Sequence, residues 1–230
     1  MRRRARTIAV VIPAGGVGLR LGRRTPKQFL AVGGEPVLVR TVGHFARHPG
    51  VAAIVVAAPA AHLARTRRLI GPLGRRATVA VVAGGATRQE SVARALAAVP
   101  EDAELIVVHD AVRPFVTRAL VDAVVGAARD AGAAICALPI AETVKRVRDG
   151  VVEATLDRSA LWTVQTPQAF RAPLLRAAHA RAYRDGAVGT DDAMLVERLG
   201  QPVRVVRGSE LNVKITTPGD LRRARAWAGR

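Results

Sequence analysis

Three short stretches of the sequence gather residues able to handle phosphate. The first, PAGGVGLRLGRRTPKQFL (Pro13 to Leu30), follows the apolar run TIAVVIP and sets Gly15, Gly16 and Gly18 ahead of Arg20 and Lys27. Glycines let backbone amides approach a polyphosphate closely, and two long cations at opposite ends of a loop can meet its charge. The spacing fits neither common nucleotide signature: the glycines do not run G-x-G-x-x-G, and no Gly-Lys-Ser/Thr closes a Walker loop. The second stretch, GGATRQES, runs from Gly84 to Ser91 and contains Arg88; the third, HDAVRP, sets Asp110 beside His109 and ahead of Arg113. A nucleotide-bound Mg²⁺ ordinarily takes one or two carboxylates from protein together with phosphate oxygens, and Asp110 is the acid placed to supply or orient such a contact.

Other chemistries have little support. No Ser-His-Asp order, HExxH or CxxC pattern is present, and the single cysteine, Cys136, lies inside the apolar run AGAAICALPI, where it reads as a buried small hydrophobe. Many cations, one well-placed acid and a nucleotide-like loop suit transfer of a nucleotidyl group. An incoming phosphate is already anionic near pH 7, so the protein must position it and neutralise charge rather than remove a proton. His109 is therefore read as completing a local hydrogen-bond network, not as a general base.

These loops need strands to hold them. Short β-branched runs (TIAVVIP, VAAIVVAA, TVAVVAG, ELIVVHD and AAICALP) alternate with helix-length segments at 36–48, 60–70, 88–99, 117–131 and 172–183. That order predicts a mostly parallel sheet covered on both faces, with ligands bound beyond the carboxyl ends of its strands. Thr87, Thr117 and Thr217 are expected N-caps, and Gly132 an expected helix stop. One domain over residues 1–230 is expected. From Glu142 the alternation breaks: two polar-apolar runs meet at Asp149-Gly150, a two-residue hairpin signal. A lone two-stranded arm, 141–159, is marginal in water and should pack against something. The same arm of a second subunit is the economical partner, predicting a homodimer; folding back on its own sheet is the alternative.

Composition bounds the rest. The chain has 230 residues, half of them hydrophobic, enough for a sizeable core. Its net charge of +18 invites a nucleic-acid reading, but the arginines are scattered and aromatics make up only 3%, which leaves little for base stacking and argues for a basic solvated surface instead. MRRRAR precedes an apolar run too short for a signal peptide, and Val51 to Ala61 falls short of the roughly 20 residues that span a bilayer. A soluble, cytoplasmic protein without membrane partners is expected. Of the 36 basic residues only Lys27, Lys145 and Lys214 are lysine. An ammonium is a compact point charge not interchangeable with a guanidinium fork, so these three need a reason.

Taken in order, PAGGVGLRLGRRTPKQFL, GGATRQESV, VHDAVRP, ETVKRV…TLDRSALWTVQTPQAF, GTDDA and NVKITTPGDL resemble the 2-C-methyl-D-erythritol 4-phosphate cytidylyltransferase family over residues 8 to about 224. The resemblance implies a Rossmann-like nucleotidyltransferase fold, a three-layer α/β/α sandwich with a protruding hairpin arm, and a homodimer formed through that arm. It implies that CTP and methylerythritol phosphate give the CDP-linked polyol and pyrophosphate, with Mg²⁺. Arg20 and Lys27 would stabilise the pentacoordinate α-phosphorus; Lys214 and Arg158 would hold the attacking phosphate, with Arg158 and Thr143 reaching in from the neighbouring subunit. Thr166 and Thr190 would add hydroxyl donors. The segments carrying Ala14, Gly15, Gly16, Gly18 and Gly84, with Ser91 and Arg88, would hold CTP, and Asp110 and Arg113 would address the polyol and the metal. The chain ends at residue 230, so the monofunctional form is expected rather than a fusion. Two departures stand out: the family's PAAG is Pro13-Ala14-Gly15-Gly16 here, and Ala86 and Thr87 stand where acidic residues are frequent. A ribitol 5-phosphate cytidylyltransferase is the nearest alternative, with Thr143 and Arg158 favouring methylerythritol phosphate.

Overall fold

A computed structural model describes residues 7–15 and 25–229. In chain order the elements are β1 (Ile8–Pro13), β2 (Ala31–Val32), β3 (Glu35–Pro36), α1 (Val37–Ala46), β4 (Val51–Ala58), α2 (Leu63–Ile70), β5 (Thr78–Ala83), α3 (Arg88–Leu96), β6 (Leu105–Val108) and α4 (Arg118–Ala131). There follow β7 (Ala133–Pro139), β8 (Val144–Arg148), β9 (Val151–Leu156), β10 (Trp162–Arg171), α5 (Ala172–Arg184), α6 (Asp192–Glu197), β11 (Arg204–Arg207) and α7 (Pro218–Ala228).

Seven strands form one sheet in the order β11-β7-β10-β6-β1-β4-β5. Only β10 runs against its neighbours, β6 and β7. The sheet is therefore mostly parallel, as the alternating runs predict. Strand side chains alternate between two apolar layers: Ile8, Val10 and Ile12 join α1, α2 and α4 on one face, while Ala9 and Val11 join α3, α5 and α6 on the other. Burial on both faces is why β1 and β6 are continuously apolar. A smaller cluster docks α7 on β2 and the residues beside it through Val32, Ile215, Leu221 and Ala224.

The expected caps are in place. The hydroxyls of Thr87, Thr117 and Thr217 accept from the amides of Glu90, Leu120 and Asp220, and α4 ends on Gly132 at φ 91°, a left-handed position that suits glycine. Cys136 is buried in β7, and desolvation pushes its thiol up to about 12. β10 was not foreseen. Its core stretch, Gln165 to Gln168, contains Pro167 and lacks β-branched alternation, and the pairing with β7 shifts register there. Its glutamines are nonetheless buried, each held by a side-chain or backbone partner.

Residues 141–159 form the predicted hairpin. β8 and β9 pair only with each other, and Asp149 and Gly150 turn with φ of 51° and 79°. Val147, Val151 and Val152 of the arm, with Trp162 and Val164 at the start of β10, expose apolar surface.

Candidate functional site

The carboxyl ends of β1, β5 and β6 lie on one edge of the sheet because the three strands run parallel. The chain leaving them is stitched together: Ala14 N–H donates to Ala57 O (2.7 Å), Gly84 N–H to Ala58 O (2.8 Å) and His109 N–H to Val11 O (2.9 Å). Between these exits lies a cavity of about 330 Å³, lined by Ala14, Gly15, Lys27, Gln28, Gly85 to Arg88, Ser91, Asp110 to Val112 and Lys214. Three segments far apart in sequence meet there, where parallel α/β sheets bind ligands.

Asp110 is the hub. Its Oδ2 accepts from Lys214 Nζ at 3.0 Å and Arg113 Nε at 3.4 Å, its Oδ1 from Arg88 Nε at 3.3 Å. Burial alone would raise its pKa, but the charges of Lys214, Arg88 and Arg113 outweigh that and hold the carboxyl far below the usual carboxylate range. Its backbone N–H donates to the Thr166 hydroxyl at 3.0 Å. Arg113 points inward, donating to Asn212 O at 2.7 Å, and Asn212 in turn donates to Thr166 O at 2.8 Å. His109 is fully buried; desolvation brings its pKa down to about 4, its Nε2 lies 3.1 Å from Arg113 O, and Nδ1 has no partner. It is neutral near pH 7, enclosed and turned toward backbone, as expected of a structural histidine.

On the opposite wall, Ser91 Oγ donates to Thr87 O at 2.8 Å and accepts from Gly85 N–H at 3.1 Å. A Cβ on Gly85 would stand 2.3 Å from Glu90 Cβ, so only glycine fits this close approach. Glu90 folds back to accept from Ala86 N–H at 2.9 Å. Gln28 donates to Ala14 O at 2.9 Å, fixing the first turn after β1, while its Oε1 is buried without a partner.

Of the expected site residues, Ala14, Gly15, Lys27, Arg88, Ser91, Asp110 and Lys214 share the cavity. Arg113 and Thr166 support it from behind, through Asp110. Gly84 lies just outside the lining, and Gly85 takes the place at the wall. Thr190 is exposed on the loop before α6, and Thr143 and Arg158 are exposed at the base of the arm, where Arg158 donates to Ala141 O. None of these three lines the cavity of its own chain. Gly16, Gly18 and Arg20 lie outside the described residues. Sequence reasoning missed Gln28, Gly85, Asn212, His179 and Asp192; the last stands inside GTDDA, a stretch already singled out, but nothing in its spacing separates it from Asp191.

Asp110 has the surroundings of an ion-pair hub rather than of a metal ligand. Both of its oxygens are engaged by three cations, and among the described residues no group of three or more His, Cys, Asp or Glu side chains converges. A divalent cation held directly by Asp110 does not fit this arrangement, because it would compete with charges already seated there.

The family model for 2-C-methyl-D-erythritol 4-phosphate cytidylyltransferase matches residues 8–230. The chain belongs to this family. A cytidylyltransferase of that name from Symbiobacterium thermophilum is 50% identical over 94% of this chain and 91% of its own length, and one from Syntrophotalea carbinolica is 45% identical over 96% of each. Among solved structures, the cytidylyltransferase from Thermus thermophilus superposes with a TM-score of 0.79 at 40% identity, covering 96% of this chain and 98% of that one. The 4-diphosphocytidyl-2C-methyl-D-erythritol synthase of Anaerococcus prevotii superposes with a TM-score of 0.85 at 30% identity, over 97% and 98%. The cytidylyltransferase sheet and its hairpin, expected from motif order, are thus those of a nucleotidyltransferase. Among the described residues no helix is long and apolar enough to cross a membrane.

Proposed function

We infer that this chain transfers the cytidylyl group of CTP to 2-C-methyl-D-erythritol 4-phosphate, releasing pyrophosphate. The observation that carries the reading, beside membership of the family, is that Lys27 and Lys214 line one cavity with Asp110 between the strand exits. Two of three lysines in an arginine-dominated chain converge where a phosphate must be met by a point charge.

In this mechanism the polyol's phosphate oxygen attacks the α-phosphorus of CTP. As that P–O bond forms, the bond to the β-phosphate oxygen breaks and its electron pair leaves with pyrophosphate. Lys27, with Arg20, neutralises charge growing on the equatorial α-oxygens. Lys214, steered by Asp110, and Arg158 hold the attacking phosphate in line. No side chain need take a proton, which agrees with the enclosed, neutral His109. The turn at Ala14 and Gly15, the Gly85–Ala86 segment and Ser91 form the wall for the base; Asp110 faces the polyol, held from behind by Arg113 and the Thr166 hydroxyl, with Thr190 as a hydroxyl donor. Mg²⁺ is the expected accompanying cation of the triphosphate, and the cytoplasm the expected compartment.

The arm supports a homodimer. Exposed valines on the hairpin suit burial against a second copy, and Thr143 and Arg158, exposed at the base of the arm and outside their own chain's cavity, are the residues it would carry to the partner's. The deciding experiment is pyrophosphate release from CTP, UTP and ATP against methylerythritol phosphate and ribitol 5-phosphate. CTP with methylerythritol phosphate is expected to turn over fastest; faster turnover of ribitol 5-phosphate, or no pyrophosphate from CTP, overturns the reading.

A further inference from the structure

From the cavity wall into the interior runs a chain of alternating charges whose inner members, Asp192 and His179, the mechanism leaves unused. Arg88, the first residue of α3, bridges two carboxylates: Nε donates to Asp110 Oδ1 at 3.3 Å and Nη1 to Asp192 Oδ2 at 2.7 Å. Asp192, the first residue of α6, is 1% exposed and its other oxygen lies 2.9 Å from His179 Nε2 on α5. The shorter bond goes to Asp192, the partner away from the cavity. Arg88 therefore lines the site as a cation already claimed by carboxylates, not as one offered to a triphosphate.

A second tie runs in parallel. The adjacent side chain, Gln89, donates to Ala187 O at 3.0 Å and accepts from Gly189 N–H at 2.9 Å. Consecutive residues of one helical turn thus grip both ends of segment 187–192, which carries Thr190. The grip links the wall of the CTP site to the loop of the second substrate.

We propose that Asp192, backed by His179, is a positioning residue for the transfer reaction: by anchoring Arg88 it sets the Asp110 carboxylate that steers Lys214, and it seats the Thr190 loop against α3. The inference rests on the cytidylyl-transfer reading. Loss of one carboxylate from a buried ion pair leaves its arginine to reorganise around the remaining one. Without Asp192, Arg88 draws further onto Asp110 and competes with Lys214 for it. The damage falls on the acceptor's phosphate and the chemical step, while the base wall, built from backbone and Ser91, is left intact.

The test is steady-state kinetics of Asp192→Asn beside wild type, with CTP binding measured separately by calorimetry. Wild-type turnover checks the function itself: if wild type is inactive, the cytidylyl-transfer reading fails and this inference with it. With wild type active, Asp192→Asn should raise KM for methylerythritol phosphate and lower kcat, each by about tenfold or more, as for other residues that orient a functional group, with CTP affinity within about threefold. His179→Ala should show the same split in weaker form, and His179→Gln, which keeps a donor near Nε2, should recover most of it. Unchanged kcat and KM in folded Asp192→Asn, or an equal loss of CTP affinity, overturns the proposal. If Asp192→Asn does not fold, the His179 pair decides: equal kinetics in the Ala and Gln variants count against it.

Discussion

In the cavity, three cations converge on the buried carboxylate of Asp110, and a second buried carboxylate, Asp192, restrains one of them. In the arm, two arginines converge on Glu153, Arg146 Nε at 3.2 Å and Arg148 Nε at 2.7 Å, but both guanidiniums stand well out in water. The same residue types do different work in the two places. Inside, desolvation makes each pair costly to break and fixes the geometry of the survivors. Outside, solvent screens the pairs, and what sets the arm apart is its uncovered valines rather than its charges. The hub of the cavity is tied within one chain, whereas the arm leaves apolar surface uncovered.

The sharpest break in that comparison comes from the cavity. Lys27→Ala should lower kcat by about a hundredfold or more while CTP affinity changes little, because a charge matched to the transition state acts mainly there. Single-turnover pyrophosphate release and calorimetry with CTP would separate the two; an unchanged kcat would remove Lys27 from the mechanism. The arm gives the next effect. Val147 and Val152 are cross-strand partners on one face, so placing aspartate at both puts charge into the proposed dimer contact. Dimer dissociation should become about tenfold or more easier by sedimentation, since an unpaired charge is costly to bury. Activity should fall in step if Thr143 and Arg158 serve the partner's cavity. A dimer of unchanged affinity would place the interface elsewhere.

A third test concerns pH. His109 takes up a proton at about 4 in the folded chain against an ordinary 6.5, so between those values the unfolded chain binds more protons. Stability should be full above about 6.5 and fall as pH drops toward 4, with a slope of at most about 1.4 kcal/mol per pH unit from this group. Urea unfolding of wild type and His109→Gln across pH 4 to 7 would read it. The variant should lose that part of the slope; an identical slope would assign the acid sensitivity to other groups. Asp110 acts in a lower range: its folded pKa is depressed, so its contribution is present above the unfolded carboxylate value and fades only in stronger acid.

Much of the sheet was legible because a strand buried on both faces must be continuously apolar, and β1, β4 and β6 are. The caps were legible because a threonine before a helix has one evident use. β10 escaped because its burial is achieved by glutamines with specific partners, which no periodicity records. The site divides in the same way. Lys27 and Asp110 could be read from residue type and place after strands, and Lys214 from the scarcity of lysine, whereas Asp192 and His179 act through contacts closed over 104 and 13 residues of sequence separation, visible only once α3, α5 and α6 are packed. Gly84 and Gly85 are adjacent glycines that sequence cannot rank; the 2.3 Å approach at Gly85 can.

The smallest effect belongs to Glu153, and it is the one that best tests the contrast between buried and solvated charge. Glu153 sits at the register shift between β8 and β9, so its side chain reaches two arginines that flank Val147. Glu153→Gln removes both pairs without changing shape. In the free arm it should cost under about 1 kcal/mol, because exposed ion pairs gain little over hydration, and salt should reduce the difference further. Thermal unfolding of the variant at low and high ionic strength would measure it. Should Glu153→Gln instead cost as much as a buried carboxylate such as Asp192, the arm's charges would have to be desolvated in the working protein, and the dimer contact would run over its charged face rather than its valines.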